Sequence, residues 1–294
     1  MKRLRALEPI AWVGPAVVLI ALVVLWPVIE MIRSSFLRIN RWGLVQGSNF
    51  PDNYDKLFNE KDFWDIMFRS VIWVVAVVGL TVLISLALAQ LFNQRFPGRK
   101  VARWALIAPW AASVLMTAII FKWMLDPEVG VINQIRVKLG LIDAMGGAAA
   151  DQLGDAASAM PWLVFVAVFV SVPFTTYALL AGLATIPADV YEAAKMDGAT
   201  KFRTYWSITL PLLRPALTVA ALINMMNVFN SFPIIWAMTH GQPGYSTATS
   251  TILMFILKNR DIGESAAMSV VNFAMVVVLT GIFLKVSRWN KEVA

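Results

Sequence analysis

The chain has 294 residues, 59% hydrophobic and only 15% charged, which is far more apolar surface than a soluble domain of that length can bury, so a bilayer is its expected solvent. Its formal net charge is +7, but the basic residues are divided among short segments beside apolar runs; this argues against nucleic acid as a partner and leaves membrane lipid headgroups as the simpler one. With no cysteine and one histidine, His240, disulfide frameworks, thiolate metal sites and most histidine metal sites are excluded.

Uncharged segments of about 20 residues recur at 10–29, 70–92, 104–121, 160–184, 216–239 and 266–284, each long enough to cross ~30 Å of hydrocarbon as a helix. They predict an all-α integral membrane fold of six spans, with no internal repeat and a single membrane domain over residues 1–294. Lys2, Arg3 and Arg5 precede the first run as in a secretory signal. Its length, its bulky exit at Trp26-Pro27 and the lack of a small-residue cleavage site before Glu30 favour a retained anchor.

Residues 33–69 form an outer loop whose interleaved charges and aromatics (Trp42, Phe50, Tyr54, Phe58, Phe63, Trp64, Phe68) suit an anchoring helix at the membrane interface. The turn at 93–103 contains Pro97-Gly98 and reverses the chain, making the second and third spans antiparallel neighbours. The third span carries Pro109 and ends at Lys122, read as an interfacial anchor that snorkels to the surface. A glycine- and alanine-rich outer loop follows at 126–159, a poor candidate for a packed domain. Pro173 and Pro233 each remove a backbone donor from the fourth and fifth spans.

Basic residues cluster at the N-terminus, at Arg95, Arg99, Lys100 and Arg103, at Lys195, Lys201, Arg203 and Arg214, and at Lys285, Arg288 and Lys291; most acids occupy the alternate loops. The positive-inside rule therefore puts both termini in the cytoplasm. The loop at 186–211 is then cytoplasmic. From Pro187 it reads as a short helix, with early acids and good helix formers, ending at Asp197-Gly198 where glycine can take a positive φ. A second helical stretch is expected over 200–209. Tyr191, Ala193, Ala194 and Met196 are expected to be presented around Glu192.

This loop carries Glu192-Ala193-Ala194, three residues, Gly198, nine residues, then Ile208-Thr209-Leu210-Pro211. The joined pattern resembles the signature of the inner-membrane permeases of binding-protein-dependent ABC importers, in particular the sugar-importing group containing the maltose and glycerol-3-phosphate permeases. The resemblance covers nearly the whole chain. Asp126-Pro127-Glu128-Val129-Gly130-Val131-Ile132-Asn133 is similar to the family's N-P-x-x-G-x-I-N, and Thr239-His240-Gly241-Gln242-Pro243 to its T-x-G-G-P, with Gln242 in place of the second glycine.

The resemblance implies a type I importer permease fold and a maltose-permease F-type subunit. It implies as partners a G-type sister permease, two ATPase subunits and an extracellular or periplasmic solute-binding protein, in the bacterial or archaeal cytoplasmic membrane. It also implies no cofactor on this chain, ATP and Mg lying on the ATPase subunits. Glu192, Ala193, Ala194, Asp197 and Gly198 would be the coupling helix and its turn, docked on an ATPase.

None of the six cores contains Asp, Glu, Lys, Arg or His, which argues against an ion-coupled secondary transporter and against a membrane enzyme. A non-catalytic assembly or channel-like protein with a cytoplasmic docking helix fits the same cores. Neutral polar residues do occur there: Ser113, Thr117, Ser171, Thr175, Thr176, and Asn224, Asn227 and Asn230 with Ser231, the asparagines sharing one helical face. Single residues of this kind serve equally as helix-helix glue.

Beside the aromatics Trp110, Phe174 and Tyr177, such amides suit a sugar, which needs hydrogen bonds and flat apolar faces. By the resemblance, Asn227 and Asn230 match asparagines at or near the maltose permease's sugar site and Trp110 replaces a tyrosine, whereas Ala167 stands where an amide is expected, so maltose itself is not implied. The candidate pathway is Trp110, Ser113, Ser171, Phe174, Tyr177, Asn227, Asn230 and Ser231. Uncharged cores favour a neutral sugar or polyol over a glycerol phosphate or related phosphodiester.

Overall fold

The computed structural model describes residues 12–40 and 42–287; the first two positions of the 10–29 run and the basic residues Lys2, Arg3, Arg5, Arg288 and Lys291 lie outside the described residues. The elements in order are α1 (Trp12–Ser35), β1 (Leu37–Ile39), β2 (Val45–Ser48), α2 (Asp52–Phe58), α3 (Phe63–Asn93), α4 (Arg99–Ala111), α5 (Val114–Met124), α6 (Val131–Lys138), α7 (Ala156–Ala184), α8 (Ala188–Met196), α9 (Lys201–Phe229), α10 (Phe232–Met238), α11 (Ser250–Lys258) and α12 (Ile262–Ser287). Among the described residues, α1, α3, α7, α9 and α12 are long and apolar enough to cross a membrane, and α4 with α5 makes a sixth crossing if the bent pair is one span. The fold is an all-α, multi-span membrane architecture with, among the described residues, one small hairpin.

Two expected spans differ from the sequence reading. The run at 104–121 is broken between α4 and α5, which are bent by 95°. The run at 216–239 belongs to a helix that starts earlier, at Lys201, and stops at Phe229. The stretch at 200–209 is therefore the first part of a spanning helix, started by Thr200, whose hydroxyl accepts from the Arg203 amide at 3.3 Å.

That helix runs past Pro211 because it widens into a π turn over Tyr205–Thr209. A proline ring collides with the carbonyl four residues before it, here that of Ser207, and an extra residue in the turn opens that space. The same device occurs in α1, where a π turn over Ala21–Leu25 immediately precedes Pro27. None of the apolar window of α1 is buried within the chain.

Contacts divide the chain into two compact units, one drawn from Met1–Trp64 and Leu253–Met275, the other from Asp65–Ile252 and Val276–Ala294. Composition had marked no such division within the single domain expected. In the first unit the segment expected to be an anchoring helix holds the hairpin β1–β2 followed by the short helix α2. Gly43 and Gly47 take positive φ (79° and 143°), and Asn40 Oδ1 accepts from the Trp42 and Leu44 amides, closing the turn. Fully buried Asn53 donates to the Ser35 and Leu37 carbonyls at 2.9 and 3.0 Å, and the rings of Phe58, Phe63 and Trp64 meet edge-on or stacked. The loop at 126–159, a poor candidate for a packed domain by its composition, nonetheless buries Asn133 and Ala150 completely.

The second unit is centred on α7 against α9, with Ala89 of α3 and Leu179, Leu183, Leu213 and Ala220 fully or nearly fully buried. Gly182 permits this approach, since a Cβ there would lie 2.4 Å from Ala216 Cβ and 2.9 Å from Leu213 Cδ1. Small residues at helix crossings serve this purpose in membranes, where no hydrophobic drive brings helices together. Gly182→Val is expected to destabilise the protein by about 1–3 kcal/mol through overpacking, whereas Gly281→Ala, which meets nothing within 4 Å, is expected to be neutral. Thermal unfolding of both variants in detergent checks this.

Candidate functional site

Both helix breaks lie at the same place. At the first, Ala112 and Ser113 are extended, and Ser113 caps α5 by accepting from the Met116 amide at 3.1 Å. At the second, Asn230 and Ser231 leave helical geometry, and Pro233 in the first turn of α10 has no amide to offer the Phe229 carbonyl. Side chains satisfy the backbone there. Buried Trp73 of α3 donates through Nε1 to the Val228 carbonyl at 3.1 Å and to Ser231 Oγ at 3.0 Å, Ser231 Oγ donates to Val228 at 2.6 Å, and Asn230 Nδ2 donates to Met226 at 3.0 Å.

Lys122 Nζ donates to the Ala237 carbonyl at 3.1 Å, so the last turns of α5 and α10 are joined. The residue read as a snorkelling anchor is thus a partly buried tie, placed where an ammonium meets the negative end of a helix.

Between these elements and α7 is a cavity of about 510 Å³. Trp110, Ser171, Phe174, Asn227, Asn230 and Ser231 of the candidate pathway line it, together with Val114, Ala167, Val170, Ile223, Asn224, Val228, Pro233 and Ile234. No ionisable side chain is among them. The Trp110 and Phe174 rings keep 54% and 37% of their surface exposed. Asn224 is 3% exposed and its Nδ2 has no hydrogen-bond partner among the described residues, a buried donor in the cavity wall.

Ser113 and Tyr177 are not in the lining. The Ser113 hydroxyl is occupied by its cap, and the Tyr177 hydroxyl donates to the Arg103 carbonyl at 3.1 Å, fastening α7 to the start of α4. Ala167, where an amide was expected, does line the cavity. Trp73 carried no signal of its role, because a tryptophan within an apolar run reads as core. Asn224 did carry one, lying three residues before Asn227 on the same face.

In the loop between α7 and α9, Glu192 and Ala193 of α8 are exposed, but Ala194 is 5% exposed, packed inward rather than presented. Asp197 is exposed at the helix end. Gly198 has φ of 73°, and the Gly198 and Ala199 amides donate to the Lys195 and Ala194 carbonyls at 3.1 and 2.9 Å, closing the helix. Met196, Phe202 and Trp206 are 88%, 75% and 54% exposed, an apolar surface beside α8 of which only Met196 was singled out from sequence.

The two other motifs are built tightly. Asn133, fully buried, lies within 3.1 Å of the Leu125, Asp126 and Ala150 carbonyls through Nδ2, and a Cβ on Gly130 would lie 2.5 Å from the Asp126 carbonyl oxygen. In the Thr239–Pro243 segment the positive φ falls on His240 and Gly241 and not on Gln242, whose side chain accepts from the Gly244 amide at 2.9 Å. The missing glycine is therefore no strain.

A polytopic helical chain with two broken helices around an uncharged polar cavity is a membrane transport component. Residues 79–289 match the family of the binding-protein-dependent transport system inner membrane component, and the chain belongs to that family, the permeases of ABC importers. It is 38% identical over 280 residues to a probable ABC transporter permease protein of Brucella suis, covering 95% of this chain and 96% of the relative. It is 34% identical over 241 residues to the trehalose/maltose transport system permease protein MalF of Thermococcus litoralis, covering 82% and 80%. A bacterial ABC transporter involved in import of the acidic polysaccharide alginate shares its fold, with a TM-score of 0.80 at 20% identity over 98% of this chain and 99% of that one. Members of the family form part of a translocation path and are not catalytic, ATP hydrolysis residing on separate subunits.

Replacing Trp73 with Phe keeps an aromatic ring but deletes the N–H at the α9–α10 break and leaves part of the buried indole volume empty. A loss of about 1–3 kcal/mol in unfolding free energy is expected, from the hydrogen bond and the cavity together. Unchanged stability would show that Trp73 does not hold the break.

Proposed function

We propose that this permease forms half of the path for a neutral sugar or polyol, with the cavity at the helix breaks as its substrate site and α8 as the element that receives the ATPase stroke. The cavity carries this reading: amides at Asn224, Asn227 and Asn230 face open aromatic surfaces at Trp110 and Phe174, with no charge in the lining. Polyhydroxyl ligands take hydrogen bonds at their edges and ring contact on their faces. The trehalose/maltose permease relative supports the sugar class. A glycerol phosphate or phosphodiester, the second substrate considered, calls for an arginine or lysine that this half does not supply.

On this reading the chain is an F-type subunit. It pairs with a G-type sister permease, two ATPase subunits and an external solute-binding protein, with both termini and α8 in the cytoplasm. Glu192, Ala193, Asp197 and Gly198 border the docking surface, and Ala194 seats α8 against its own subunit. Met196, Phe202 and Trp206 supply the apolar contact.

The test is reconstitution of the four-subunit assembly with its binding protein. Hydrolysis that rises on adding binding protein and sugar, with uptake that ceases on ATP depletion, is the expected result. Uptake that survives depletion returns the chain to a channel-like role. Gly198→Val is expected to abolish uptake while the subunit still inserts and assembles, because a β-branched residue at φ of 73° costs about 1–3 kcal/mol and reorients the turn. Asn227→Ala is expected to weaken sugar affinity roughly three- to tenfold, the value of one neutral hydrogen bond; unaltered affinity and specificity would reassign Asn227 to helix packing.

A further inference from the structure

A second cavity, of about 590 Å³, lies among α3, α9 and α12, away from the residues of the pathway. Its walls are mainly Val78, Val82, Leu217, Ala221, Phe283 and Val286, with Gly79 as a notch in one side and the polar Arg214, Thr218 and Ser287 in the lining. Arg214 is exposed and has no ion pair or hydrogen bond among the described residues. The facing segments provide no counter-ion, since no Asp or Glu occurs in 66–125, 198–260 or 276–287.

We propose that this groove is a binding site for an anionic glycerophospholipid, its phosphate paired with Arg214 and an acyl chain lying along the apolar walls. A guanidinium beside a hydrocarbon-lined groove must reach water or meet an anion, and its planar donors match phosphate oxygens. The side chain of an apolar helix from another subunit would fill the walls but leave Arg214 desolvated and unpaired, which is costly. A phospholipid satisfies both parts at once, and cationic pockets between spans are known to select acidic headgroups.

Native mass spectrometry of the full chain, titrated with dioleoylphosphatidylglycerol or dioleoylphosphatidylcholine, tests this. Both lipids offer a phosphate to Arg214, but the choline ammonium offsets that charge, so the wild type is expected to retain the net-anionic phosphatidylglycerol about tenfold better. Arg214→Gln is expected to abolish that preference. Lys285→Gln, which removes a neighbouring cation outside the lining, is expected to preserve it. Gly79→Leu is expected to reduce retention of both lipids by filling a notch that has no atom within 4 Å of its Cβ position. Equal retention of the two lipids by the wild type, equal losses in Arg214→Gln and Lys285→Gln, or glycerol phosphate binding as well as the intact lipid would overturn the proposal. So would exclusion of lipid from the groove once the sister permease is bound.

Discussion

Hydrocarbon offers no water to a broken helix, so every peptide group released at a break must find a partner in the protein. That constraint organises the second unit. Two helices are interrupted here, and donors and acceptors at the breaks are taken up by Ser113, Trp73, Ser231 and Asn230, while Lys122 ties the far ends of α5 and α10 together. The same interruptions open the polar cavity. Discontinuous helices recur in transporters because irregular backbone is tolerated only where protein or an aqueous cavity surrounds it. Here the breaks place three asparagines and two aromatic rings about one cavity.

How far the sequence could be read follows from which partners are local. Apolar runs of span length need no knowledge of neighbours, and they anticipated most of the long helices. The breaks were not legible, because Pro173 and Pro233 look alike in sequence yet one lies inside the uninterrupted α7 and the other opens α10. Side chains of α3 donate at both positions, Ser85 to the Val172 carbonyl and Trp73 to the Val228 carbonyl and Ser231, so the proline alone does not tell a continuous helix from a broken one. The tie made by Lys122 was hidden too, its acceptor lying on α10.

The site was legible where periodicity sufficed. Asparagines spaced by three announce one helical face, and Asn227 and Asn230 do line the cavity. Ser113 was chosen for its hydroxyl and Tyr177 for its ring; neither is in the cavity lining, Ser113 accepting the Met116 amide and Tyr177 donating to the Arg103 carbonyl. The turn at Gly198 was anticipated from the identity of the residue, since a helix that must close sharply selects the one side chain free of a φ penalty. The family motifs gain a mechanical meaning as well: Gly130 leaves space that the Asp126 carbonyl occupies, and Asn133 gathers three carbonyls of its loop.

The uninterrupted course of α9 from Lys201 to Phe229 has a geometric consequence. A helix rises about 1.5 Å per residue, so roughly 39 Å separate Lys201 from Asn227, and pivoting one end by about 5° sweeps the other through roughly 3 Å. That is the width of a hydrogen bond. The π turn at Tyr205–Thr209 sits near one end of this rod, where a swivel alters the angle of entry while leaving the long arm straight. A tilt of α9 about its Lys201 end would therefore move its asparagines by the length of a contact.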